Sequence, residues 1–258
     1  MRHPVTVVAA NTFREVGRDR LLHGSAGLVT AFVIFAWVLG WLNPEEEEQA
    51  RHLVDFGLAG VNVLGLLMAA LLGSALLRRE MERRTLYTVL CRDVTRPQFV
   101  AGKYLGLLGA FAAALGIVAV VMGLYFSISG AKPGLPLAAA VYGNLLEIAV
   151  LTAISVLFGA ITSPALAAAG TVTAWFAGHW TGTLLEYVEL TKSEGLRPLF
   201  EAIYYGLPNL SFFDHREAAA FGDPPAFGDL GIATAYAAAW VAVLVGAAAA
   251  LFRRRELP

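Results

Sequence analysis

Six long runs of the chain carry almost no charge, and they decide what it can fold into. They cover about residues 22–42, 53–77, 101–129, 137–160, 164–187 and 229–252. An apolar helix of roughly 20 residues crosses the ~30 Å hydrocarbon core of a bilayer. Lipid offers no hydrogen bonds, so each run has to satisfy its own backbone, and helices do this within one segment. The expected fold is therefore an all-α polytopic membrane protein with six transmembrane helices. Only 15% of the 258 residues are charged, against about 25% in a soluble domain. Little chain remains for a soluble domain, so 1–258 reads as one transmembrane domain. The first run resembles a secretory leader in position, but it is too long and runs into Asn43-Pro44-Glu45 without a small-residue cleavage site. It reads as a retained span.

The charges give the orientation. With both termini on the cytoplasmic side, 14 of the 19 Lys and Arg residues lie inside, leaving Arg51, Lys132, Lys192, Arg197 and Arg216 outside. That asymmetry follows the positive-inside rule. The acidic run Glu45–Glu48 then falls outside. Cys91 is the single cysteine, so it has no internal disulfide partner, and a metal cluster needs more ligands.

The connecting segments have distinct characters. Residues 4–20 place Val5, Val8, Thr12, Phe13 and Val16 near one helical face and Asn11, Arg14, Glu15, Arg18 and Asp19 on the other. That pattern suits an amphipathic entry helix in the headgroup region. Residues 78–100 form a charged cytoplasmic segment between spans two and three. Pro97 divides it into two short helices, with Thr95 or Asp93 as a cap for the second. Thr162-Ser163-Pro164 makes a tight turn between spans four and five. The only long loop, 188–228, lies outside, and its Leu199, Phe200, Ile203 and Tyr204 share one helical face, with Tyr205 beside it. Such aromatic character suits a short helix lying flat at the interface. Gly102-xxx-Gly106 and Gly178-xxx-Gly182 have the spacing of close helix contacts.

The expected chemistry is sparse. No GxxxxGK[ST] loop is present, since Gly102-Lys103 is followed by Tyr104 and lacks a glycine-rich turn before it. There is no HExxH, CxxC or GxSxG. The chain is thus not expected to be an enzyme, and no cofactor, metal or nucleic acid is expected on it. Two polar residues inside the spans stand out. Glu147 lies ten residues from the outer end of span four, roughly 15 Å deep at 1.5 Å per residue. His179 lies in the outer part of span five, and antiparallel spans bring the two to depths within ~6 Å of each other. Intramembrane carboxylates are costly, and they mark either a pathway or a paired contact. Glu147 and His179 are the candidates for a substrate path or conformational switch. The plainer reading is a hydrogen-bonded Glu147 that fixes helix packing.

Residues 80–106 run through Glu80, Glu82, Thr85-Leu86, Leu90, Arg96 and Gly102-Lys103. This sequence resembles the permeases of type-2 ATP-binding-cassette (ABC) exporters between their second and third spans. Arg84 stands where that family usually has Gly, and Asp93 where Pro is common. The resemblance extends to the entry helix, the six spans and LFGAITSP at 157–164. LPNLSFFDHREAA at 207–219 is similar to the outer loop of a branch associated with copper-enzyme maturation. The resemblance implies a half-transporter in a bacterial or archaeal cytoplasmic membrane, pairing with a second permease copy as a homodimer. It implies that each copy docks a separate cytoplasmic ATPase, which holds the ATP and Mg. By this resemblance the 80–96 segment is a coupling helix. Glu80, Glu82, Arg83, Arg84 and Thr85 form its docking surface, with Arg14 and Arg18 of the entry helix in a second rank. The alternatives are a membrane scaffold that recruits periplasmic partners through 188–228, and an intramembrane enzyme using Glu147 or His179.

Overall fold

The computed structural model describes residues 3–19, 46–76, 94–128, 134–191, 197–223 and 227–254, with scattered helical positions between 24 and 38. Among the described residues all regular structure is helical. The helices are α1 (Pro4–Gly17), α2 (Glu46–Met68), α3 (Arg96–Ile128), α4 (Leu135–Ile161), α5 (Pro164–Thr191), α6 (Arg197–Gly206), α7 (Arg216–Phe221) and α8 (Phe227–Arg254). Pro4, Pro97, Pro136, Pro164 and Pro198 each sit in the first turn of a helix. There the missing N–H removes no intrahelical bond, and the fixed φ favours the helical start. The start of α3 is closed by Gln98, whose Oε1 accepts the Thr95 backbone N–H at 3.0 Å. The side chain that bonds at this helix start is Gln98 reaching back; of the two expected caps, Asp93 lies outside the described residues.

Among the described residues four helices are long and apolar enough to cross a membrane: Val54–Leu76, Arg96–Leu124, Leu135–Ile161 and Phe227–Arg253. They coincide with four of the six expected runs. The fifth run forms α5, which has the length at 28 residues. Its Thr171, Thr173, Trp175, His179 and Trp180 make it less apolar than the other four. The first run falls mostly outside the described residues. Its Phe32 packs against Gly60 of α2, where an added Cβ would come within 2.9 Å of the ring.

α4 is the axis of the bundle. It is apolar around most of its surface, as a helix enclosed by others is, and α2, α3, α5, α7 and α8 all pack against it. Val150, Leu151, Ala153 and Val156 are fully buried there. Hydroxyls inside the bundle bond back to their own helices, as Thr152 does to the Ile148 carbonyl at 2.7 Å and Thr171 to Ala167 at 2.8 Å. Tyr104 of α3 donates to the Ala149 carbonyl at 3.0 Å. α2 continues through a π-helical turn at Ala69–Gly73. A π turn disturbs the regular backbone ladder, and Ser155 of α4 donates to the Ala70 carbonyl there at 3.3 Å.

Candidate functional site

Asn144 and Glu147 lie three residues apart, hence on one face of α4. That face meets Asn62 of α2 and both Trp175 and His179 of α5, themselves four residues apart. Glu147 has 0% exposure, and Asn144 and Asn62 are also buried. Each Glu147 oxygen accepts from a different helix. The Asn62 amide donates to Oε2, and Trp175 Nε1 donates to Oε1 at 2.9 Å. Trp175 Nε1 also lies 3.2 Å from Asn62 Oδ1. The Asn62 amide has a weaker second acceptor in Asn144 Oδ1 at 3.4 Å. Three helices are thus joined through one carboxyl group.

His179 completes the cluster. Its Nδ1 lies 3.1 Å from the Trp175 carbonyl. A carbonyl can only accept, so Nδ1 carries a hydrogen. Nε2 then faces Glu147 Oε1 at 3.6 Å, either as an acceptor or as the second N–H of an imidazolium. At this separation the two groups are close neighbours, beyond the length of a formed hydrogen bond. The His179 ring also leans on Trp175, with centroids 4.7 Å apart.

The loop after α6 folds back into the bundle above this cluster. Leu210, just before a short 3-10 turn at Ser211–Phe213, and Phe213 at its end are fully buried. The Leu210 N–H donates to the Gly178 carbonyl at 3.0 Å. A Cβ at Gly178 would sit 2.7 Å from the Leu210 side chain, so glycine makes this approach available. Gly143 of α4 plays the same part against the Phe213 carbonyl. From α8, Tyr236 accepts the Asn209 N–H at 2.8 Å. The segment is a plug between α4, α5 and α8.

Asp214 and Arg216 close the plug. Arg216 Nε and Nη2 donate to the two Asp214 oxygens at 2.9 and 2.6 Å, a bidentate pair. Burial pushes the Asp214 carboxyl up, but the hydrogen bonds and charge of Arg216 outweigh it and hold it below the ordinary carboxylate range. The same hydrogen bonds raise Arg216 further above its ordinary value, against the opposing effect of burial. The charges of both residues reach Glu147 and His179. Outside the pair lies a cavity of about 550 Å³, lined by Arg51, Asp55, Asp214, Arg216, Glu217 and Phe221. The Arg51 guanidinium stands 5.1 Å over the Phe221 ring.

Glu147 and His179 are therefore brought together. Arg14 and Arg18 are exposed on and just after α1. Glu80, Glu82, Arg83, Arg84, Thr85 and Cys91 lie outside the described residues. Sequence reasoning missed Asn62, Asn144, Trp175, Asp214 and Arg216 as parts of the cluster and its cover. Asn62 and Asn144 carried a signal, being lone amides inside apolar runs. Asp214 and Arg216 carried none, since a loop acid and base two residues apart are ordinary.

A helical bundle with membrane-crossing helices and a polar cluster in its interior defines a multi-pass membrane protein. Residues 6–257 match the family model described as ABC-2 family transporter protein, and the chain belongs to that family. Comparison with curated proteins gives no match. An ABC-2 permease is the membrane component of its transporter and normally pairs with a cytoplasmic ABC ATPase.

Proposed function

We propose that this chain is the permease subunit of an ATP-driven transporter, converting ATP hydrolysis by a separate cytoplasmic ATPase into export or a transmembrane mechanical signal. The observation that carries this reading is the family match over nearly the whole chain, joined to a sequence without a phosphate loop. In this reading the chain has six spans and two cytoplasmic termini, and works as a homodimer in a bacterial or archaeal cytoplasmic membrane. The ATPase grips Glu80, Glu82, Arg83, Arg84 and Thr85, with Arg14 and Arg18 at the edge of the contact. ATP and Mg belong to that partner. The resemblance of 207–219 supports the copper-enzyme-maturation branch.

The Glu147–His179 pair acts as the switch. Movement of α5 against α4 breaks the Trp175 hydrogen bond together with the 3.6 Å His179 contact and leaves a buried carboxyl short of a partner. Such a state is costly, so the closed cluster and its plug are restored when the drive is removed.

Affinity purification of the tagged chain from native membranes tests the reading. An ATPase subunit should be recovered, and reconstitution of the two together should change its hydrolysis rate. Membrane-impermeant thiol reagents should label Cys91 only from the cytoplasmic side. Labelling from outside, or recovery of outer-face partners without any ATPase, would overturn the proposal in favour of the scaffold.

A further inference from the structure

The entry helix leads by sequence into the first span, yet it is seated on the third. Among the described residues α1 and α3 form the most extensive helix–helix contact of the fold. Gly102 and Gly106 make the seat. A Cβ at Gly102 would lie 2.7 Å from the Val8 side chain, and one at Gly106 would lie 2.6 Å from Thr12 Cβ. This is the close-approach spacing seen in the sequence, used within the chain. Thr12 and Val16 are buried in the contact, and Val7 is left 53% exposed on the far side.

Beside the seat lies Lys103. Its side chain is only 4% exposed, and its ammonium stands 3.1 Å from Glu15 Oε2, whose own side chain is 39% exposed. The Phe99 ring centroid is 5.9 Å from the same nitrogen. A lysine near a helix end usually extends its charge into the headgroups. This one is turned inward, with its ammonium against Glu15 of α1.

We propose that Lys103 is a positioning residue that locks α1 to α3 through Glu15, so that the entry helix and the third span move as one lever. This deepens the permease reading and rests on it for its function. Arg14 and the docking segment just before α3 then push on a single body, and the motion enters the bundle through α3. The first span follows through the chain connection.

Electron-resonance distances test the lock on the full chain in lipid nanodiscs, in a Cys91→Ser background. Spin labels at exposed Val7 of α1 and Val120 of α3 report the lever. A second pair, at Val120 and at Leu135 of α4, reports the integrity of the bundle. The unaltered pair of helices should give one narrow Val7–Val120 distance. Lys103→Met and Glu15→Gln should each raise the detached fraction by up to about fivefold, the size expected for an ion pair with one exposed partner. The Val120–Leu135 distance should stay unchanged, which separates detachment from misfolding. The exchange Glu15→Lys with Lys103→Glu should narrow the distribution again. A narrow Val7–Val120 distance in both single variants would overturn the lock, as would an exchange that stays broad.

With the ATPase bound, the Val7–Val120 distance should be the same in nucleotide-free and vanadate-trapped complexes. Separation of α1 from α3 on trapping would overturn the lever. Failure of any ATPase to bind would sink the permease reading instead, and the nanodisc result would still stand.

Discussion

Replacing Glu147 gives the sharpest test of the buried cluster, because its two oxygens accept from different helices. Glutamine keeps one acceptor and turns the other into a donor. The better placement puts the new carbonyl toward Asn62 and the new amide toward His179, whose Nε2 accepts when the ring is neutral. Trp175 Nε1 then falls back on Asn62 Oδ1, already 3.2 Å away. Glu147→Gln should therefore cost less than about 1 kcal/mol, below the usual penalty of ~1–3 kcal/mol for an orphaned buried donor. Leucine fills nearly the same volume and accepts nothing. Both donors retain only their second acceptors, at 3.2 and 3.4 Å. Hydrogen bonds between membrane helices average ~0.6 and reach ~1.7 kcal/mol, so Glu147→Leu should destabilise by about 1–2 kcal/mol. Denaturant titration in micelles, followed by tryptophan fluorescence, reads both variants. A cycle of Glu147→Leu with Trp175→Phe should show coupling of at least ~0.5 kcal/mol, as contacting residues do. An additive cycle would refute the bonded network. A stabilised leucine variant would refute it differently, since that is the behaviour of a buried ion pair whose desolvation exceeds its attraction. The same variants separate structure from function: a Glu147→Gln chain that folds, assembles and works normally removes the switch.

Three further outcomes follow from the plug and the helix ends. Gly178→Leu should expel Leu210 from its site, where an added Cβ already meets it at 2.7 Å, and protease nicking near 207–213 should become faster while α4 stays protected. The Asp214–Arg216 pair sets a pH window for the same loop. The Asp214 value is depressed on folding, so its contribution is fully present above the ordinary carboxylate range and lost as pH falls through the lowered value. Nicking should therefore be insensitive to this pair near neutrality and rise only in strong acid, and Asp214→Asn should remove that acid step. Arg96 Nη1 donates to the Phe252 and Arg253 carbonyls at 3.3 and 3.1 Å, capping the end of α8. Arg96→Met should speed amide exchange in the last turn of α8, on the order of tenfold for a loss of ~1 kcal/mol or slightly more, with no change at its Phe227 end.

Hydropathy and charge were enough for the helical membrane class, and they pointed to helical structure in the entry segment and near 197–206 and to the turn at Thr162-Ser163-Pro164. These depend on single segments meeting water or lipid, and a segment carries that information alone. Glu147 and His179 could be matched because antiparallel spans translate sequence position into depth. Which helix lies beside which is a different quantity. Lipid tails are as apolar as leucine, so hydropathy hardly distinguishes a neighbour from the bilayer. Only the packed structure therefore brought Asn62 and Trp175 to the two oxygens of Glu147. It alone folded Leu210 and Phe213 into the bundle, and it seated α1 on α3. One carboxyl group joins three helices, and lateral packing that no single run of residues encodes decided it.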